Sequence, residues 1–315
     1  MTDRAVAVLA GGLSHERDVS LRSGRRLSSA LRDVGLHVDV WDIDATLIGR
    51  LASSRPDAVV VALHGGAGEN GAVQSVLEML RIPYVGAGPR ACRRAWDKPT
   101  AKDELTRAGL ATPDWITLPH ATFRDLGAQA VLEALVSRLG LPLILKPDQG
   151  GSALGVNMVR DAAELPGAMM SCLAYGDTVL AERFVEGVEV AVTVVDEPAG
   201  PRALPAVEID AKSGFYDYAA RYTAGLATFH APARLPTAAA TAVADLAVSA
   251  HRQLGLRDVS RTDAVVTPDG VAHFLEVNVA PGLTETSLLP MAIESDGAAL
   301  GAVYAALIEQ ALTRT

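Results

Sequence analysis

Cysteine is nearly missing from this 315-residue chain: Cys92 and Cys172 are the two present, far apart and outside any paired spacing. That excludes a disulfide scaffold and a cysteine zinc site, and leaves two buried thiols. Aromatic residues are also scarce, at 4%. Basic residues are in the minority, 28 Lys and Arg against 37 Asp and Glu for a formal net charge of -9. A nucleic-acid partner, which selects basic faces, is therefore not expected. Long apolar runs are lacking as well. The stretch Val6 to Ala10 is cut short by Gly11 and Gly12 and followed by His15, Glu16, Arg17 and Asp18. Neither a signal segment nor a membrane span is expected, and the cytoplasm is the default location. The third glycine of a dinucleotide fingerprint is absent too, because Ser14, His15 and Glu16 stand where it would fall.

What is present is alternation. Val6 to Ala10 reads as a strand, a helix runs to about Val34, and strands follow near Val38 to Ile43 and Ala58 to Leu63. Such alternation predicts an open, mostly parallel sheet. In "AVQSVLEMLRI", Val73, Leu77 and Leu80 share a helical face, and "PYVG" gives a further short strand. Beyond it come a helix through Lys98 to Ala108, a helix near Ala128 to Leu139, the strand "PLILKP", a glycine-rich turn and "VNMV". "TVLAERFV" follows as another strand, and an alanine-rich helix spans about Ala238 to Leu254. No repeat and no low-complexity linker interrupts the chain, which favours three small α/β units packed closely.

Three constellations carry chemistry. In "SRTDAVVTPDGVAHFLEVNVAPG" a turn at Pro268, Asp269 and Gly270 joins two strand-like runs. The register of a four-residue loop sets Asp263 opposite Glu276 and Arg261 opposite Asn278, all on one face, with Leu275 and Val277 on the other. Two carboxylates and an amide oxygen are hard ligands suited to magnesium beside phosphates. Arg261 beside them suits developing negative charge. An exposed hairpin face with cross-strand charge pairs has the same pattern. In "LILKPDQGGSALG" a strand delivers Lys146 to a loop of Gly150, Gly151, Ser152 and Gly155, whose amides suit phosphates. This is not a Walker A loop, since the lysine comes first, and an ordinary glycine turn reads the same way. Lys98 has the alternative of a solvated helix lysine, and Glu182 and Glu189 that of edge charges. The segment Phe215 to Gly225, with Tyr216, Asp217, Tyr218, Arg221 and Tyr222, suits a lid or a structured surface loop.

Taken in order, "GGLSHERDVSLRSG", "ALHGGAGENGAVQ", "PYVGAG", "WDKPTAK", "LKPDQGGSALGV", "GFYDYAARYTAG", "APARLP", "RTDAV" and "LEVNVAPGLTETSLLP" resemble the D-alanine:D-alanine ligases of the ATP-grasp superfamily across nearly the whole chain. The resemblance implies an α/β protein, α+β in its C-terminal part: an ATP-grasp fold preceded by a Rossmann-like domain. The units would be 1–95, 96–186 (central) and 187–315 (metal site and lid). It implies an ATP-dependent carboxylate–amine ligase that joins two D-alanines for peptidoglycan synthesis. By that resemblance Glu16 receives the substrate ammonium, completed by Ser152 and Tyr222, while His64 and Glu69 line the amino-acid pocket. Lys98 and Lys146 hold ATP phosphates, and Gly151, Ser152, Ala153 and Arg221 are further ATP-binding residues. Glu182 and Glu189 hold adenine and ribose, and Arg183, Phe184 and Val185 border the base. Asp263, Glu276 and Asn278 bind two magnesium ions, for which manganese substitutes. Arg261 and the Gly282 amide stabilise the oxyanion, and Ser287 and Leu288 receive the second carboxylate. A homodimer is implied as well.

The chain departs from the family pattern at Gly150 and Ala153, where Glu and Ser are usual, at Arg221 for lysine, at Asn70 for aspartate and at Leu283 for methionine. Tyr222 favours a dipeptide-forming enzyme over ester-forming relatives. Two competing readings are a paralogous ligase joining another amino-acid pair and an ATP-binding homologue without catalysis.

Overall fold

The computed structural model describes residues 4–212, 214–216, 220–221, 223 and 225–314. Asp217, Tyr218 and Tyr222, in the segment expected as a lid or a surface loop, lie outside the described residues.

The first sheet is parallel, in the order β2 (His37–Trp41), β1 (Ala5–Leu9), β3 (Ala58–Val61), β4 (Tyr84–Val85). The expected alternation is there: β1 is buried from Val6 to Leu9, as a central parallel strand must be. Helix Arg17–Asp33 lays Leu27 and Leu31 against Val6 and Val8. At Gly24 no side chain fits, because a Cβ would stand 2.4 Å from that of Ala10.

The second sheet is antiparallel, β5 (Trp115–Pro119), β8 (Thr178–Arg183), β6 (Leu143–Pro147), β7 (Asn157–Val159). Helices Ala128–Leu139 and Leu165–Leu173 cover its apolar face. The third sheet runs β12 (Ala227–His230), β11 (Val207–Ala211), β9 (Val188–Glu197), β13 (Val259–Val266), β14 (Ala272–Asn278), with β10 (Gly200–Ala203) pairing β9. Residues of the second and third sheets line a common cleft.

The cores do not follow chain order. Helices Pro89–Trp96 and Lys98–Arg107 pack with Thr237–Gln253 on the third sheet, Leu105 joining Val190 and Phe274. The last helices, Leu288–Ser295 and Leu300–Leu312, join the core of the first sheet, Leu307 and Ile308 among Val6, Leu27 and Val60. Among the described residues no single helix is long and apolar enough to cross a membrane.

The β13–β14 hairpin pairs Asp263 with Glu276 and Arg261 with Asn278, as expected. The route to that register differs. The turn is one residue longer, Thr267 to Val271, since Val266 pairs with Ala272, and a bulge between Asp263 and Ala264 restores the pairing. The bulge also corrects the expected facing of Leu275: it lines the cleft beside Glu276, while Val277 packs in the core.

Candidate active site

A cavity of about 340 Å³ lies between the second and third sheets. Lys98, Lys146, Gly151, Ala153, Glu182 and Glu189 line it. So do Arg183 to Val185, Arg221, Asp263 and Glu276. Apolar walls come from Ile144, Ile209, Val265 and Leu275. Lys98 is no solvated lysine: it is 6% exposed, and its Nζ donates to the Gly150 carbonyl at 2.7 Å and lies 3.5 Å from Glu276 Oε2. The preceding Asp97 caps its helix by accepting from the Thr100 N–H at 2.8 Å. β6 carries Lys146 to within 2.6 Å of Glu182 Oε2. Burial pulls the Lys146 ammonium down, but the Glu182 and Glu276 carboxylates outweigh it and hold it above the ordinary lysine value.

The loop after Lys146 takes left-handed backbone at Gly150 (φ 110°), Ser152 (56°), Ala153 (55°) and Gly155 (71°). This turns Ser152 so that its hydroxyl donates to Glu16 Oε1, in the first turn of the parallel sheet. Glycines enclose that carboxylate: a Cβ on Gly65 would stand 2.6 Å from Glu16 Oε2 and one on Gly151 3.3 Å. The structure thus joins Glu16 and Ser152. Tyr222, the third of the expected trio, lies outside the described residues.

On the hairpin face Arg261 donates two bonds of 2.7 Å to Asp263, both side chains buried. Burial pushes the Glu276 carboxyl up, yet Lys98, Lys146, Arg221 and Arg261 win and hold it down at about 2. Glu189 is driven the other way, to about 8, by burial and then by Asp263. Asn278 Oδ1 accepts the Ala280 N–H at 2.8 Å and retains a free lone pair. Two carboxylates and an amide oxygen are a donor set that fits magnesium. The Nε of Arg221 is buried without a hydrogen-bond partner among the described residues, in a wall that both this cavity and the next share, which fits an anionic ligand.

A smaller cleft adjoins the cavity, lined by Glu69, Ser152, Arg261 and Asn278, with Lys98 and Arg221 shared. His64 does not line either space. Its Nδ1 lies 2.9 Å from the Ala280 carbonyl and its Nε2 2.8 Å from Ser23 Oγ, which also accepts the Leu283 N–H at 3.0 Å. Burial holds the ring neutral, so Nδ1–H donates to Ala280 and the Ser23 hydroxyl donates to Nε2. The expected pocket residue His64 thus clamps the loop that carries Gly282. A Cβ on Gly282 would meet Ser287 Oγ at 2.7 Å and push that hydroxyl off the Thr284 N–H. Ser287 begins the helix Leu288–Ser295, a terminus whose free amides suit a carboxylate, while its Oγ accepts the Thr284 N–H at 3.0 Å.

Sequence reasoning missed Lys102, fully buried behind the cavity wall with its Nζ 2.5 Å from Glu182 Oε1. A signal existed: the buried stripe of its helix is Lys98, Ala101, Lys102 and Leu105, so two of the inward positions are lysines. Also missed was Arg234, which donates to both Glu208 and Asp210 at the cavity rim. Glu208, Asp210 and His230 form the one group of three carboxylate or imidazole ligands within 4.8 Å of one another among the described residues, and the Arg234 guanidinium already answers both acids.

Two antiparallel sheets gripping a cavity, with Lys146 and a turned glycine loop on one and a carboxylate hairpin on the other, define the ATP-grasp class of ligase folds. Profiles described as the D-ala D-ala ligase N-terminus and C-terminus match residues 46–87 and 105–312. A curated relative, the D-alanine–D-alanine ligase of Anaeromyxobacter sp. (strain Fw109-5), is 42% identical over 99% of this chain and 96% of its own length. That of Bordetella petrii is 39% identical over 97% and 91%. The Bacillus anthracis D-alanine–D-alanine ligase solved with ATP superposes with a TM-score of 0.83 at 27% identity, covering 99% of this chain and 98% of that one. The VanG D-Ala:D-Ser ligase of Enterococcus faecalis gives 0.85 at 25%, covering 98% and 99%. The chain belongs to the D-alanine–D-alanine ligase family.

Proposed function

We propose that this protein joins two D-alanines into D-alanyl-D-alanine at the expense of ATP, supplying a peptidoglycan precursor. The observation that carries the reading is the Glu16–Ser152 contact, which sets an ammonium-receiving carboxylate against the phosphate loop. Glu16 holds the first D-alanine by its ammonium, leaving its carboxylate toward the cavity. Lys98, Lys146 and Arg221 hold the ATP phosphates, with Gly151 and Ala153 in the loop. Glu182, Glu189 and the Arg183 to Val185 segment take the nucleoside. Asp263, Glu276 and Asn278 would hold two magnesium ions, or manganese in their place, which neutralise phosphate charge when bound.

The carboxylate of the first D-alanine attacks the terminal phosphorus, giving an acyl phosphate and ADP. The second D-alanine, its carboxylate at Ser287 and Leu288, attacks the acyl carbon through its neutral amine. The tetrahedral oxyanion rests on Arg261 and the Gly282 amide, and phosphate leaves as the peptide bond forms. Tyr222 completes the Glu16–Ser152 pair and the lid excludes water. Units at 1–95, 96–186 and 187–315 around the cleft, a homodimer and a cytoplasmic location complete the proposal; sedimentation and cell fractionation test the last two.

The experiment is magnesium-dependent phosphate release from ATP against single and paired D- and L-amino acids, with product masses. Release with D-alanine alone and a dipeptide product is expected. Release only with another pair would make Gly150 and Ala153 specificity determinants of a different ligase. Silence across the panel would leave an ATP-binding protein without this catalysis.

A further inference from the structure

We infer that Lys102 is a positioning residue of the nucleotide cavity, holding Glu182, and through Glu182 the ammonium of Lys146, from behind the wall. The inference rests on the reading of Lys146 and Glu182 as ATP-facing residues. Lys102 itself has 0% side-chain exposure and does not line the cavity. A charge at that depth is costly to desolvate, and a well-packed apolar side chain of its volume often serves stability as well or better. Packing alone therefore does not account for a lysine there.

Its surroundings give it a task. The Lys102 ammonium donates to Thr112 Oγ1 at 2.5 Å, forms an ion pair with Glu182 Oε1 at 2.5 Å, and reaches toward the Phe274 carbonyl at 3.4 Å. Thr112 Oγ1 in turn donates to that same carbonyl at 2.8 Å. Phe274 belongs to β14 of the third sheet and Glu182 to β8 of the second, so one ammonium ties together the two sheets that grip the cavity. The other oxygen of Glu182 takes Lys146 Nζ at 2.6 Å. A carboxylate held at both oxygens by two ammoniums is fixed in rotation, and Lys146 is fixed with it. Remove Lys102, and Glu182 is free to turn while Lys146 loses its fixed partner.

The test compares nucleotide affinity and steady-state constants in Lys102→Met, which keeps the length and drops the charge, with Glu182→Gln and the double variant. Lys102→Met is expected to raise Kd and KM for ATP about tenfold or more while KM for D-alanine stays put, and the double variant to be no worse than Glu182→Gln alone. Wild-type ATP affinity in a folded Lys102→Met protein overturns the inference, as do two effects that simply multiply. Should Lys102→Met fail to fold, Thr112→Val removes one anchor without stranding a charge. A measurable rise in KM for ATP then supports the inference, and none overturns it. A wild-type protein that binds no ATP would instead overturn the reading of the cavity itself.

Discussion

Glu69 shows how a single side chain in the smaller cleft couples burial to chemistry. It is 5% exposed, and its carboxylate accepts the Gly65 N–H at 3.0 Å. Burial first, and then the negative charge of Glu16, push its carboxyl up from 4.5 to about 8. Near neutral pH the folded protein therefore keeps a proton there that the unfolded chain has lost. The sign follows: this group favours the fold fully below the unfolded value and loses that contribution as pH rises through the folded one. Glu69→Gln should flatten the decline of stability between about pH 5 and 8, read by denaturant unfolding at several pH values. A substrate ammonium arriving beside Glu16 and Glu69 favours the carboxylate, so amino-acid binding should expel protons. Calorimetry in buffers of different ionisation enthalpy measures this directly, and a buffer-independent enthalpy at pH 7 would sink the assignment.

At the scale of elements, the loop after Lys146 depends on backbone that its sequence does not favour. Ala153 sits at φ 55°, where an L side chain is strained and a β-branched one more so. Ala153→Val is expected to destabilise by about 1–3 kcal/mol and to raise KM for ATP, whereas Ala153→Gly, at home in that region, should keep the wild-type KM. A valine variant with unchanged midpoint and KM would show that the loop's handedness does not matter. This loop was legible as a glycine turn behind a lysine, but its left-handed run through Ser152 and Ala153 was not, because Glu16 and Gly65 lie far away in sequence. The hairpin was legible in register only because two deviations cancelled, a longer turn and a bulge at Leu275. Strands β1, β3 and β6 were plain from their apolar runs. Helices Leu47–Ser54, His120–Leu126 and Leu165–Leu173 were not, being short, with Pro166 inside the first turn of the last. Lys102 escaped notice because its partners, Thr112, Glu182 and Phe274, come together only in the fold.

For the whole molecule, the consequence of cores that ignore chain order is that the first sheet is completed by the last helix. Helix Leu300–Leu312 contributes Tyr304, Leu307, Ile308 and Ala311 to the core that holds Val6, Val8, Leu27 and Leu31. The two helices approach at one point without room for a side chain: a Cβ on Gly301 would stand 2.2 Å from the Ala30 carbonyl oxygen. The obstacle is backbone, which cannot rotate aside, so the helices must separate. Gly301→Ala should therefore cost about 1–3 kcal/mol by urea denaturation, against the small gain that alanine ordinarily brings inside a helix. The same helix pair supports the Ser23–His64–Ala280 network, since Ser23 lies on Arg17–Asp33 and its hydroxyl receives the Leu283 N–H. The loop with Gly282 should shift with it, so kcat should fall more than KM for ATP, whose cavity lies between the other two sheets. Equal losses in both constants would mean that the loop with Gly282 and the nucleotide cavity move as one body. Full stability in Gly301→Ala would mean that the helices have slack the close approach denies.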